Sequence, residues 1–456
     1  MKRTCKSIFT QKGGCKYKSS RKESYKHMTT KLLIILFFLL QSIVSSQNIS
    51  GRLSSSAYFF ERHDASTSSA AVAKSFNYIR TFQTLQLNAK YDKFAIKTRL
   101  NYEKDVSQEL VQDPRLRIYN LYFEGRNLFD NLLTFKVGRI SLFNNVSSGT
   151  YDGGNIKLKY AGYKLDLFYG ANVPAYQKFE ITDDWENNYV MSGKLDITAI
   201  NNMRIGLSYI DKNYTFNSYE TTRLDENSYS MDYLIQNHSN QFKYASADVS
   251  YRLKNVFNVY SRYNYDLNFN TTSRFELTGR YDQVEDWGFS LYYNYRAPQI
   301  RYNSIFAVFD YGNTHEIEAG ADYKINPSFT LTGKFANVTY KEDTAQRATL
   351  GLNTKFGSVS YRKTFGYAGE MDALSIYTAR SFLEGMVTPS IGLGYTSYKL
   401  SADAETNKIV SFLAGCNVRP YNVLSFDLQG QYFNNKIYQN DFRILFKLNY
   451  WFNVNL

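Results

Sequence analysis

DFRILFKLNYWFNVNL, residues 441–456, places an apolar side chain at every even position: Phe442, Ile444, Phe446, Leu448, Tyr450, Phe452, Val454 and Leu456. The odd positions carry Asp441, Arg443, Lys447, Asn449, Asn453 and Asn455, with Leu445 and Trp451 as exceptions. Successive side chains of a strand point to opposite faces, so this is one strand with an apolar face and a wet face. At about 3.4 Å per residue it is roughly 50 Å long. That length exceeds the usual globular strand and suffices to cross a bilayer at a tilt.

The same period recurs in pairs. Leu85, Leu87, Ala89 and Tyr91 alternate, and so do Phe94, Ile96, Thr98, Leu100 and Tyr102. A turn at Asp92-Lys93 sets Tyr91 opposite Phe94, Ala89 opposite Ile96 and Leu85 opposite Leu100, so both apolar sets share a face. Turns over 198–202, 282–286, 324–328 and 419–423 pair four further hairpins, ending on Ile197/Met203, Tyr281/Trp287, Tyr323/Phe329 and Val418/Leu424. A turn at Gly357-Ser358 pairs a sixth. All these lengths are common hairpin lengths. Pro114, Pro174, Pro298, Pro327, Pro389 and Pro420 fall between the alternating runs, where a residue without an N–H costs no ladder bond. Short turns alternate with longer polar loops at 62–78, 105–113, 140–153, 171–188 and 211–241, the pattern of an outer-membrane barrel. Residues 287–310 read as one strand with an irregular extension. The expected fold is a single all-β, transmembrane, antiparallel up-and-down barrel of about 22 strands, within a range of 18–24.

Composition agrees with that geometry. Aromatic residues make up 17% of the chain, with 41 Tyr and 33 Phe, yet mean hydropathy is −0.43. Aromatic girdles outside and polar residues inside produce that combination. The formal net charge of +13 is mostly local: residues 1–46 hold ten Lys/Arg and one acid, leaving +4 for the remainder. A nearly balanced mature chain argues against nucleic acid as a partner. The basic start leads into the apolar run Leu32–Leu40 and then Val44-Ser45-Ser46, a secretory signal peptide with cleavage expected before Gln47. The domain reading is therefore a leader over 1–46, with Met28 a candidate true start, and a barrel over 47–456. Cys5 and Cys15 lie in the leader, so Cys416 has no disulfide partner within a mature chain.

The second face of the strands is charged in both signs. Lys97, Arg99, Arg252, Arg262, Arg280, Arg362, Arg443 and Lys447, with Glu276 and Glu318, are the expected pore-lining residues. On the full tally fifteen cations face nine acids, a mild bias toward anions. A barrel this wide has too large an interior for side chains alone to close.

Tyr119-Asn120-Leu121-Tyr122-Phe123-Glu124, then Leu133-Thr134-Phe135-Lys136-Val137-Gly138-Arg139, then Asp152-Gly153-Gly154-Asn155-Ile156 resembles the strand–strand–loop pattern of porin-like outer-membrane proteins, the alginate-export type included. The resemblance implies a passive diffusion channel for small hydrophilic solutes, with the 140–153 loop folding inward. Arg139 shares the parity of Leu133, Phe135 and Val137, which argues that it leaves the wall before the pore rather than forming a constriction. The final strand also resembles the C-terminal signal read by the barrel-assembly machinery, here Tyr450, Phe452 and Leu456. Leu456 departs from the aromatic that the family prefers at the last position.

Catalytic chemistry has little to work with. His63 and His238 fall in expected external loops and His315 at a strand edge. Asn237-His238-Ser239 is better read as a solvated loop than as a hydrolase fragment. Asp225-Glu226 lacks the alternating oxygen ligands of a calcium loop. No metal, cofactor or catalytic residue is expected. The functional expectation is an outer-membrane porin-like channel, not an enzyme, embedded in outer-membrane lipid, passing small polar or anionic solutes, and able to form a homo-oligomer. The alternative is a non-conducting barrel acting as a binding or assembly component of an envelope complex.

Overall fold

The computed structural model describes residues 47–64, 74–107, 113–143, 148–174, 177–182, 185–214, 219–224, 229–235, 242–254, 256–300, 312–341, 343–366, 369–399, 401–436 and 440–455. The leader with Met28, Asp225-Glu226, His238 and Leu456 lie outside the described residues.

The strands run β1 (Asn48–Asp64), β2 (Lys74–Tyr91), β3 (Phe94–Asp105), β4 (Arg115–Asn127), β5 (Leu133–Phe143), β6 (Ser148–Tyr160), β7 (Tyr163–Asn172) and β8 (Tyr189–Ile197). They continue as β9 (Met203–Lys212), β10 (Tyr219–Leu224), β11 (Ser230–Ile235), β12 (Phe242–Leu253), β13 (Phe257–Asp266), β14 (Thr271–Tyr281), β15 (Trp287–Arg296) and β16 (Thr314–Asn326). The last eight are β17 (Phe329–Tyr340), β18 (Asp343–Thr354), β19 (Gly357–Gly366), β20 (Met371–Ala379), β21 (Val387–Tyr398), β22 (Asn407–Tyr421), β23 (Leu424–Asn434) and β24 (Asp441–Asn455). Twenty-two of them form one antiparallel sheet that skips β10 and β11, which pair only with each other. Every wall strand has at least nine residues, enough for a tilted crossing, whereas β10 and β11 have six.

Closure comes from the terminal strand. β24 pairs with β1 from Asn48↔Asn455 to Phe60↔Arg443, which leaves the sheet no open edge. Gly51 makes the seam possible, because a Cβ there would lie 2.6 Å from the Phe452 ring and 2.3 Å from the Gln86 carbonyl. Asn48 Nδ2 donates to the side chains of Asn453 at 2.7 Å and Asn455 at 2.5 Å. Both described ends therefore meet on the short-turn side.

One face of this sheet carries large apolar side chains left open to the surroundings, Val137 at 57% and Leu350 at 60% exposure among them. Leu53, Phe123, Ile156, Leu207, Leu291, Ile317, Leu393 and Phe446 continue the belt on other strands. Such a belt around a closed barrel is matched by hydrocarbon, so the barrel spans a membrane, and barrels of this design belong to the outer membrane.

Several details differ from the sequence reading. The Tyr91, Ala89 and Leu85 pairings hold as expected. In four other hairpins the register is displaced by two: Ile197 faces Ile205, Tyr281 faces Phe289, Tyr323 faces Leu331 and Val418 faces Phe426. The Gly357 hairpin turns instead at Lys355-Phe356, with Thr354 facing Gly357. A displacement of two preserves every facing, which is why the apolar parity survives. Residues 140–143 and 148–153 are strand, not a loop folded inward, because β5 and β6 keep pairing up to Phe143↔Ser148. His63 lies within β1 and not in a loop. β15 ends at Arg296, so the expected extension is not strand over 297–300. Pro389 and Pro420 sit inside β21 and β22. The Pro389 carbonyl accepts from Arg380 N beyond the end of β20, so its missing N–H points where no ladder remains. Pro420 sits where the register shifts between Val418 and Tyr421.

Candidate functional site

The face opposite the apolar belt is the inner one, and its charges are arranged by the ladder. Two sets of partners lie two strands apart with a small residue between them. Glu318 faces Ala336, which faces Arg347, and the guanidinium crosses over Ala336 to reach Glu318 at 2.7 Å and also Glu316. Arg280 reaches Asp322 at 2.7 Å over Gly288, where a Cβ would lie 2.3 Å from the guanidinium. A bulky residue in either gap would separate the charges.

From β2 to β9 the same face is crowded with cations. Glu103 takes Arg117 at 2.6 Å, Arg80 at 3.8 Å and Arg115 at 3.9 Å, and the two outer arginines also approach Asp113. Glu124 takes Arg126 at 2.6 Å, Lys97 at 3.0 Å and Lys136 at 3.7 Å. Asp196 takes Arg204 at 2.6 Å, Lys164 at 3.4 Å and Lys194 at 3.5 Å. Nine cations thus share these four carboxylates, while Lys157 and Asp166 pair one to one at 3.1 Å and Asp105 stands opposite Arg80 on the same face.

Beside them is an inner-wall recess of about 460 Å³ at the closing seam. Arg52, Lys97 and Arg99 project into it among Gln86, Asn88, Asn120, Tyr122 and Trp451. Among the described residues Arg52 and Arg99 meet no carboxylate, and Arg99 lies 5.1 Å over the Tyr119 ring. Arg52 and Trp451 were missed by the sequence reading. Their signal was parity: Arg52 shares the inner register of Ser50 and Ser54, and Trp451 is an apolar exception on the wet side of the last strand.

All ten residues expected to line a pore sit on the inner face. Lys97 and Arg99 come together in the recess, and Arg262 stands opposite Glu276. Glu276 is bonded to Arg274 at 2.8 Å, while Arg262 Nε donates to the Tyr260 hydroxyl at 2.8 Å. Arg280 and Glu318 belong to the crossing pairs above, and Arg443 is held by Asp441. Arg252 and Arg362 have no ion-pair partner among the described residues, and Lys447 stands opposite Asp427 on β23 without an ion pair within 4 Å. Tyr450 and Phe452 lie on the outer face of β24, opposite Leu53 and Gly51.

Arg139 is placed differently from expectation. It does not leave the wall, since β5 continues to Phe143, but it belongs to the outer face, opposite Leu121 and Asp152. A strap between β7 and β8, described over 173–174, 177–182 and 185–188, crosses over it. Nε and Nη2 donate to the two oxygens of Asp152 at 2.8 Å. Nη1 donates to the carbonyls of Ile118, Gln177 and Lys178 at 3.2, 3.1 and 2.7 Å, and Nη2 to Glu180 at 3.0 Å. Arg139 and Asp152 are 6% and 7% exposed, so a paired charge is sealed into the membrane-facing wall.

The inner face is not uniformly polar. Ile140, Tyr151, Phe168, Val190, Ile210 and Tyr244 form a buried cluster, with Val190 and Ile210 fully covered. These residues alternate with outward-facing Tyr169, Met191 and Tyr209, so they fill the lumen on the β5–β12 side. His315 is on the outer face, 3.1 Å from the Tyr293 hydroxyl.

No protein-family model and no curated protein matches this chain. Solved structures do. A chain of the E. coli P pilus tip assembly intermediate PapC–PapD–PapK–PapG matches with a TM-score of 0.50 at 8% identity, over 88% of this chain and 61% of that one. OccAB3 of Acinetobacter baumannii matches with a TM-score of 0.42 at 12% identity, over 89% and 99% of the two chains. OccK1 (OpdK) of Pseudomonas aeruginosa matches with a TM-score of 0.41 at 9% identity, over 89% and 99%. What this chain shares with the first of these is the fold alone.

Proposed function

We propose that this barrel is an outer-membrane channel that passes small hydrophilic solutes and favours anions. The observation that carries the reading is the charge arrangement on the inner face. Nine cations share four carboxylates between β2 and β9, and Arg52 and Arg99 add two cations that meet none. Fixed positive charge along a water-filled path lowers the energy of an anion there and raises that of a cation. Exposed Arg362, on β19, carries positive charge away from the filled β5–β12 side. The mature chain is proposed to begin at Gln47, with Tyr450 and Phe452 as part of its assembly signal; intact-mass measurement of the membrane form checks that start.

Reconstitution in planar bilayers tests the channel. Folded protein is expected to give ohmic steps, and a salt gradient is expected to give a reversal potential on the anion side. That selectivity should fade as salt rises, because the screening length shrinks from about 10 Å at 0.1 M to about 3 Å at 1 M. Correctly folded protein without conductance would refute the channel and support the non-conducting alternative, while a cation-side reversal potential would refute the charge argument.

A further inference from the structure

A second cavity, of about 1290 Å³, lies on the opposite side of the wall. Its floor is the outer face of β4–β8, including Val137, Gly154, Ile156 and Leu167, and its roof is Phe179, Ile181 and Trp185 of the strap. It exceeds the roughly 300–1,000 Å³ of ordinary small-molecule sites. We propose that it holds one acyl chain of an outer-leaflet lipid.

Position selects the occupant. Val137, Ile156, Leu167 and Met191 are exposed members of the apolar belt, so the groove is continuous with the surface that hydrocarbon covers. The strap belongs to the β7–β8 loop, on the rim opposite the chain ends, which is the external side in such barrels. An apolar cavity of this kind does not hold water, and left empty it forfeits the dispersion contacts of its whole lining. Lipid tails are the apolar molecules that surround it.

Orientation follows from Arg139. The guanidinium closes the upper end of the groove but is saturated by Asp152 and the four carbonyls that surround it. It has no N–H left for a carboxylate or phosphate, so a headgroup gains nothing by entering. The tail enters and the head stays at the bilayer surface, beside exposed Lys178 and Glu180.

Two glycines supply a matched test. A Cβ on Gly154 meets nothing nearer than the Lys136 carbonyl at 4.0 Å, and one on Gly279, in the belt away from the groove, nothing nearer than the Leu291 carbonyl at 4.0 Å. Gly154→Phe therefore fills the groove, and Gly279→Phe burdens the belt equally without touching it. The barrel, extracted from its own membranes in mild detergent, is analysed by native mass spectrometry with fragmentation of any retained molecule. Wild type and Gly279→Phe are expected to retain one acyl-bearing lipid per barrel. Gly154→Phe is expected to lose it by about tenfold or more, the effect of displacing about two methylenes. Ile181→Asp, at a roof position 72% exposed, should lose it as well and keeps the test valid if Gly154→Phe misfolds. Equal retention in the groove variants and wild type, no retained lipid in wild type, or a retained molecule without an acyl chain would each overturn the proposal.

Discussion

Replacing Arg139 with Met should free the strap while leaving the barrel closed. The substitution removes a buried guanidinium and leaves Asp152, 7% exposed, without its partner. Breaking a buried pair from one side typically costs about 3–5 kcal/mol. Here the carbonyls of Gln177, Lys178 and Glu180 also lose their donor, and each buried unsatisfied group adds about 1–3 kcal/mol. Lifting the strap frees its three carbonyls to find water at the rim, so their share of the cost is met by local opening. The wall keeps its ladders on both sides of β5 and β6. Trypsin reads the opening directly, because Lys178 has its carbonyl bound at 2.7 Å and its peptide bond to Phe179 is thereby held. A bias of about 3 kcal/mol raises the open population roughly a hundredfold, and cleavage should rise in proportion while closing remains fast. Arg139→Met/Asp152→Leu separates the two effects. It should recover the urea midpoint, since a buried ion pair is often replaceable by apolar groups, yet stay as cleavable as the single variant. Cleavage of Arg139→Met within about twofold of wild type would show that the strap is held by something else.

Three further substitutions test the inner face and the seam. Arg52→Glu with Arg99→Glu places two acids in the recess and should move the reversal potential toward cations; an unchanged potential would show that the current bypasses that sector. Ala336→Leu wedges Glu318 from Arg347, and the overpacking should lower unfolding stability in urea by about 1–3 kcal/mol; an unchanged midpoint would mean the crossing pair carries no stability. Gly51→Val drives side-chain atoms into Phe452 and the Gln86 carbonyl, so the fraction of barrel that stays compact in unheated detergent electrophoresis should fall sharply. A closed fraction equal to wild type would show that the seam tolerates a Cβ.

Parity was legible in the sequence because each side chain reports its own face. Register was not, and the turns explain why. Trp287 spends its N–H on Val284 within the turn at 3.1 Å, after Asp286 at a φ of 61°, so the ladder resumes with Tyr281 opposite Phe289. Met203 does the same with Ile200 at 3.2 Å after Asn202, also at a φ of 61°. Asn and Asp tolerate positive φ, but their presence in a five-residue gap does not reveal which amide turns inward. The closing seam was legible from β24 alone; the Arg139 clamp was not. Its carbonyl partners at 177–180 lie about forty residues away in a loop with no alternation.

The exceptions to alternation carry more meaning than the rule they break. In a barrel wall a charge on the lipid face is costly unless something covers it, and the cover must come from outside the sheet. Arg139 and Asp152 thereby imply the strap, and the strap in turn encloses the apolar cavity. The reverse exception, apolar side chains on the inner face, needs a filled lumen, and Val190 and Ile210 at 0% exposure show that it is filled on the β5–β12 side. Trp451 is a third case, an apolar ring on the wet face that forms one wall of the recess holding Arg52 and Arg99. Each break in the period marks a place where the wall meets something besides water or lipid. The cavity behind Arg139 and the recess beside Trp451 lie on opposite faces, so a groove-filling change such as Gly154→Phe should alter lipid retention without altering ion selectivity. A change in both together would mean that the two faces are coupled through the short five-rung ladder between β4 and β5.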